Sequence, residues 1–203
     1  MICISDLLKQ SSARHDHLCP RQVLGVRIGL AGLSALGIES PVNKDTALII
    51  IESDGCFADG IEIATGATIG HRTLRVVDFG KIAATFADFQ IGCAIRIAPA
   101  LDVRERALIY TPDEPRHYFA QLQSYQVMPD AELLRIQEVD LNPTVEELIS
   151  KPVARVNCDY CGEEIINERE VVVNGAVLCR TCSNDGYYLI KHEAIPWAFI
   201  DQK

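Results

Sequence analysis

Four of the eight cysteines in this 203-residue chain fall as two tight pairs, Cys158-Asp159-Tyr160-Cys161 and Cys179-Arg180-Thr181-Cys182. This C-x2-C-x17-C-x2-C spacing constrains the fold more than any other feature of the sequence. Two residues between cysteines let both thiolates reach one cation from a tight knuckle, and two knuckles complete the tetrahedral sulfur shell that zinc favours. The spacer agrees: "EVVVNGAVLC" reads as a β-hairpin with Asn174-Gly175 at its turn, which returns the second pair to the first. After Cys182, "SNDGYYLIKHEAI" reads as the start of a short helix, giving the knuckle, hairpin and helix order of a treble-clef finger. So small a segment buries too little to fold without a staple, and a structural zinc would supply much of its folding energy. The bland alternative is four unmetallated core cysteines, and Asp159 and Asp185 are near enough in sequence to act as substitute ligands. From Pro152 onward five Lys or Arg face eight Asp or Glu, which favours a structural or protein-contacting finger over one that reads DNA. Trp197 and Phe199 are candidates to dock on a partner or on the larger domain.

Before this segment, the pattern changes near residue 150, giving an expected division into a domain at 1–150 and a finger at 151–203. Residues 5–13 read as a short helix with Leu7 and Leu8 inward. "PRQVLGVRIGLAGLSALG" reads as a longer one, with Pro20 at its first position and Gly37 at its stop. Val23, Leu24, Ile28, Leu33 and Leu36 form its apolar face. Gly25, Gly29 and Gly32 line a side almost without bulk, each costing about 1 kcal/mol against alanine, so another backbone should pack close there. Strand-like runs follow in "TALIIIESD", "LRVVDFG", "AATFADF", "CAIRIAP" and "ALIYT", with a helix opening near Asp54–Cys56. "PDAELLRIQEVD" and "TVEELIS" read as helical. The later strands leave no room for crossover helices, so the expected class is α+β: a mixed β-sheet flanked by helices, followed by the small zinc finger.

Net charge of −9 argues against a phosphate-gripping nucleic-acid binder and against an anionic membrane surface. No run reaches membrane-spanning length, and the start shows no export signal, which points to the cytoplasm. There, eight cysteines imply metal or thiol chemistry rather than disulfides.

A second candidate site opens the chain. In "RHDHLCPR", His15, His17 and Cys19 alternate, so in an extended segment all three face one side just ahead of the helix at Pro20. Imidazole and thiolate suit zinc or another divalent metal. The alternative is a polar helix cap with Cys19 as a small buried hydrophobe. Cys56 in "ESDGCFADG" follows a strand and opens a helix, where amides stabilise a thiolate. If the Pro20 helix packs on this turn, His17 and Cys56 can share a metal with an open position. Asp59, one turn on, can orient a ligand histidine or sit as a solvated helix-start carboxylate. Lys81 can bind an anionic substrate or act as an acid, or be a surface lysine. Cys3 and Cys93, and His71, His117 and His192, read as ordinary residues.

"HDHLCPRQVLGVRIG", "ESDGCFADGIEIATGATIG" and "LRVVDFGKIAATF" together resemble the FmdE-like family, named for the E subunit of formylmethanofuran dehydrogenase. The matching positions are His15, His17, Cys19, Pro20, Cys56, Asp59, Ile61, Thr65, Gly66, Thr68, Gly70, Gly80 and Lys81, and the likeness spans roughly residues 10 to 140. Some members carry a C-terminal four-cysteine finger. The resemblance implies an α+β domain, frequently homodimeric, with a metal-binding active site around the His and Cys motifs. It also implies association with a molybdenum- or tungsten-dependent formylmethanofuran dehydrogenase in C1 metabolism and methanogenesis. Where many members have cysteine in T-G-C-T this chain has Ala67, which excludes a mechanism pairing Cys56 with a thiol there. Expected site residues are therefore Cys56, His17, Asp59 and Lys81 for chemistry. Cys158, Cys161, Cys179 and Cys182 are expected to hold structural zinc, and His15, His17, Cys19 and Cys56 a second metal. Whether the chain is an enzyme stays open: a metal-dependent catalyst or catalytic accessory, a non-catalytic metal carrier or assembly factor, and an interaction finger all fit. The acidic balance counts against a nucleic-acid-contacting regulator.

Overall fold

The computed structural model describes residues 3–15, 17–149 and 151–190. The chain divides into two compact units, Met1–Glu146 and Glu147–Lys203.

The first unit begins with α1 (Ile4–Ser12), whose Leu7, Leu8 and Ser11 are buried. In α2 (Pro20–Leu36), proline occupies the first turn, where its missing N–H costs nothing, and Gly37 closes the helix at φ 66°. Then follow β1 (Ala47–Ile51), α3 (Cys56–Thr65), β2 (Leu74–Val76), β3 (Ala84–Asp88) and β4 (Cys93–Pro99). Next come α4 (Val103–Tyr110), α5 (His117–Val127), α6 (Asp130–Leu133) and β5 (Leu134–Glu138). The strands form one mixed sheet in the order β2-β1-β3-β4-β5, parallel only between β1 and β2. The expected α+β class and mixed sheet are therefore what the chain adopts.

The glycine side of α2 meets α3. A Cβ placed on Gly60 would lie 2.5 Å from the Gln22 carbonyl oxygen and 2.8 Å from Gly25 Cα, and one on Gly29 would lie 2.7 Å from Ala64 Cβ. The contacts advance together along both helices, so α2 and α3 run side by side in the same direction. Gly32 receives the ring of Phe86 from β3, which locks α2 onto the sheet. Around this junction Val23, Val26, Ile28, Phe57, Ile61 and Phe86 are fully buried. Such side chains contribute about 1.5–3 kcal/mol each.

Two expected elements differ. The run "ALIYT", expected as a strand, is the end of α4: Val103 and Ala107 are buried one turn apart, and Arg106 pairs with Asp102 across a turn at 2.8 Å. Ser124 Oγ donates to the Ala107 carbonyl at 2.7 Å, tying α4 to α5, a helix the pattern did not announce. The expected helix over "PDAELLRIQEVD" stops after one turn at Leu133. From Leu134 the chain becomes the edge strand β5, because β4 offers a free row of hydrogen-bonding groups and Ile97 aligns with Ile136.

In the second unit, a helical turn at Val145–Leu148 (α7) marks the junction, followed by two hairpins. One pairs β6 (Arg155–Asn157) with β7 (Glu164–Ile166); the other pairs β8 (Val171–Val173) with β9 (Ala176–Leu178). The second is the expected hairpin, with Asn174 and Gly175 both at positive φ, 52° and 85°. Residues 183–190 form turns and irregular chain rather than the start of a helix. His192, Trp197 and Phe199 lie outside the described residues. Among the described residues, no helix is long and apolar enough to cross a membrane.

Replacing Gly60 by alanine should lower stability by about 1–3 kcal/mol through overpacking, against a helix-propensity gain of about 1 kcal/mol. Gly70, where an added methyl would meet nothing within 4 Å, should tolerate alanine with little change. Urea denaturation of the two variants checks this.

Candidate functional site

The four finger cysteines converge. Cys158 and Cys161 flank the turn after β6, and Cys179 and Cys182 flank the turn after β9; all four sulfur atoms lie within 4.8 Å of one another. Cys161 Sγ and Cys179 Sγ are 3.9 Å apart, close to the roughly 3.8 Å edge of a tetrahedron with 2.3 Å metal–sulfur bonds. Backbone amides already point at the sulfurs: Cys179 N–H donates to Cys158 Sγ at 3.3 Å and Cys182 N–H to Cys179 Sγ at 3.4 Å. The amides of Cys161 and Cys179 draw the pKa of the Cys158 thiol down to about 6, while burial first and the neighbouring thiols next push that of Cys182 up to about 12. Four thiols in one pocket cannot all ionise beside each other, and a bound cation removes that conflict. The donor set therefore fits one metal ion. Asp159 and Asp185 do not join it. Asp159 Oδ2 accepts from the Val177 amide at 2.7 Å, bracing the first knuckle against β9, and Asp185 pairs with Arg180 at 2.9 Å.

The N-terminal candidates separate into two groups. Cys19 caps α2 and Cys56 is the first residue of α3, so the side-by-side packing of these helices brings the two thiols into hydrogen-bonding contact. The Cys19 sulfur also accepts the Gln22 amide, while Gln22 Oε1 takes the Cys19 N–H at 2.8 Å. Gln22 Nε2 donates to the Ser11 carbonyl at 3.0 Å, fixing the cap against α1. Burial, and then Cys19, push the Cys56 thiol above its ordinary value, outweighing Arg21 and the helix-start backbone that pull it down. The helix start thus does not leave Cys56 with the depressed value that its position alone suggests. Tyr118 of α5 faces both sulfurs, and its phenol is pushed up by burial and by their charge.

His15 is engaged elsewhere. Its Nε2 is 2.5 Å from Asp59 Oδ2, and Arg14 bridges Asp59 at 3.0 Å and Glu62 at 2.6 Å. These ion pairs tie the histidine-bearing segment to α3. His17 is exposed and has no polar partner among the described residues. Among the described residues, the finger cysteines are the one group of three or more His, Cys, Asp or Glu ligands gathered within 4.8 Å. The structure thus brings Cys19 to Cys56 and His15 to Asp59, and does not assemble His15, His17, Cys19 and Cys56 into one cage. Lys81 sits apart from the thiol pair, in the connection between β2 and β3, lining a cleft with Glu52 and Arg96. Arg14 and Tyr118 join the site beyond the sequence expectation; Arg14 adjoins the motif, whereas nothing near Tyr118 in sequence marks it.

A family profile described as "FmdE, Molybdenum formylmethanofuran dehydrogenase operon" matches residues 14–156. A protein of Archaeoglobus fulgidus, described as a probable S-adenosyl-L-methionine-binding protein, is 27% identical over 208 residues covering 92% of this chain. The chain spans only 55% of that relative's length. A crystal structure of an FmdE-like protein of tungsten formylmethanofuran dehydrogenase, from Syntrophus aciditrophicus, superposes with a TM-score of 0.52 at 20% identity. The match covers 92% of this chain and 95% of that one, and supports the same fold. With the profile spanning the α2–α3 thiol pair and most of the sheet, the chain belongs to the FmdE family.

Proposed function

We propose that this protein is a zinc-stapled accessory of a molybdenum- or tungsten-dependent formylmethanofuran dehydrogenase, using Cys19 and Cys56 to hold a soft metal ion or sulfur-seeking ligand. The observation that carries this reading is the meeting of those two thiols at the adjoining starts of α2 and α3. Thiolates are soft ligands, and a pair fixed by helix caps meets a cation with little reorganisation. His17 is the free imidazole of the same segment, while His15 is held by Asp59. A metal bound there would supply a Lewis-acidic or delivery function. The chain's own part is to present the sulfurs, brace the segment through Arg14 and Asp59, and set Tyr118 beside them. The family description and the FmdE-like fold support the dehydrogenase as the partner. Cys158, Cys161, Cys179 and Cys182 would hold zinc in a structural role. S-adenosyl-L-methionine, named for the archaeal relative, belongs among the ligands to test.

Metal analysis of the native protein should give two equivalents of bound metal. Cys19→Ser with Cys56→Ser should lose one and keep the finger's zinc; one equivalent in both proteins would defeat the second site. A chelator strong enough to strip zinc should unfold the second unit, as loss of its hairpin signals in an NMR spectrum, and leave the sheet domain's signals in place. Affinity capture with the native chain should retrieve dehydrogenase subunits from a cell that makes them. Capture that survives Cys19→Ser and Cys56→Ser would favour a scaffold over metal delivery. Light scattering of the purified chain tests the homodimer.

A further inference from the structure

We infer that the open cleft on the sheet, lined by Lys81 and Arg135, is a binding site for a small organic anion: a phosphate or carboxylate carried on an apolar body.

The cleft occupies about 640 Å³. Its floor follows from the strand register. Thr85 pairs with Arg96, and Ala98 with Arg135, so these four side chains alternate away from Phe86 and Ile97 and share the sheet face opposite α2. Small Thr85 and Ala98 leave the space, and Arg96 and Arg135 edge it.

Its charges are arranged unequally. Arg96 is already engaged: Nε and one terminal nitrogen reach the two oxygens of the largely buried Glu52 at 2.5 and 2.8 Å. That bidentate pair makes a rigid, nearly neutral base. Lys81 and Arg135 have no carboxylate partner among the described residues. Asp140 also lines the cleft, leaving an excess of one positive charge in a protein whose net charge is −9. A local reversal of sign in a concave site attracts anions and concentrates their field.

Lys81 is positioned rather than merely exposed. The Glu52 carbonyl accepts from the amides of Phe79 at 2.9 Å and Lys81 at 3.1 Å, and the Glu52 amide donates to the Ala83 carbonyl at 3.0 Å. Asp78 Oδ1 takes the Gly80 amide at 2.8 Å, and Gly80 turns at φ 64°, a conformation glycine adopts without strain. The loop is thus pinned to the end of β1 on both sides of Lys81. The same loop presents Phe79, which is 65% exposed and whose ring centre lies 5.9 Å from Lys81 Nζ. Leu101 across the cleft is 86% exposed. An aromatic ring and a leucine flanking two cations match a ligand with an apolar body and one anionic end. The carboxylates do not make a cation site, because Glu52 is already neutralised.

The test is a titration of the isotopically labelled full chain, followed by amide NMR, with phenyl phosphate and benzoate as probes and inorganic phosphate as the bare anion. Saturable shifts confined to residues 79–82, 96–101 and 135–142 are expected. Lys81→Ala and Arg135→Ala should each weaken binding about tenfold, as loss of a charge-assisted contact does. Arg104→Ala, an exposed cation on α4, should leave it unchanged. The tighter of phenyl phosphate and benzoate identifies the anionic group. The inference is overturned by an absent or unsaturable response, by shifts centred elsewhere, or by equal weakening in all three variants. Inorganic phosphate binding as tightly as phenyl phosphate would overturn the apolar half of the proposal.

Discussion

The contact between Gly25 of α2 and Gly60 of α3 is the constraint on which the rest of the N-terminal unit depends. Neither position has room for a methyl group, so the two backbones approach as closely as helices can. That approach sets the crossing of α2 over the sheet through Gly32 and Phe86. It also decides where the two helices begin. Cys19 and Cys56 are 37 positions apart in sequence, yet they touch because their helices start level with one another. Chemistry at the thiols is therefore a property of a glycine stripe several residues away from them.

Much of this was legible in the residues. The glycine spacing of α2, proline at its start and glycine at its stop name the helix and its close neighbour. The paired cysteines and the Asn174-Gly175 turn name the finger's metal cluster and one of its hairpins. These signals are local and have few alternatives. The failures are equally physical. "ALIYT" and "LLRIQE" are short apolar runs whose period fits strand and helix alike, and each was decided by its neighbour: α5 took the first, the open edge of β4 the second. The α5 helix itself carries little amphipathic contrast.

The candidate site was only half legible. Alternation in His15, His17 and Cys19 suggested one shared face, but Asp59 and Glu62 draw Arg14 and His15 toward α3 and divide the motif. Carboxylates on a facing helix compete for the same imidazole that a metal would use, and spacing alone does not reveal them. Likewise, the N-terminal position of Cys56 predicts an acidic thiol, whereas its partial burial and its thiol neighbour raise it. Tyr118 could be found only by folding the chain, since it reaches the sulfurs from α5.

The Gln22 side chain joins the end of α1, through Ser11, to the start of α2, through Cys19. It closes residues 12–18 into a short ring made without any covalent link, and Arg14 and His15 anchor that ring to α3. The entropy lost in confining such a loop was already given up when the core formed. His17 is therefore held near its working surroundings while its own imidazole keeps rotational freedom. Shortening the Gln22 side chain would release the ring and restore to the histidine the conformational search that folding had removed.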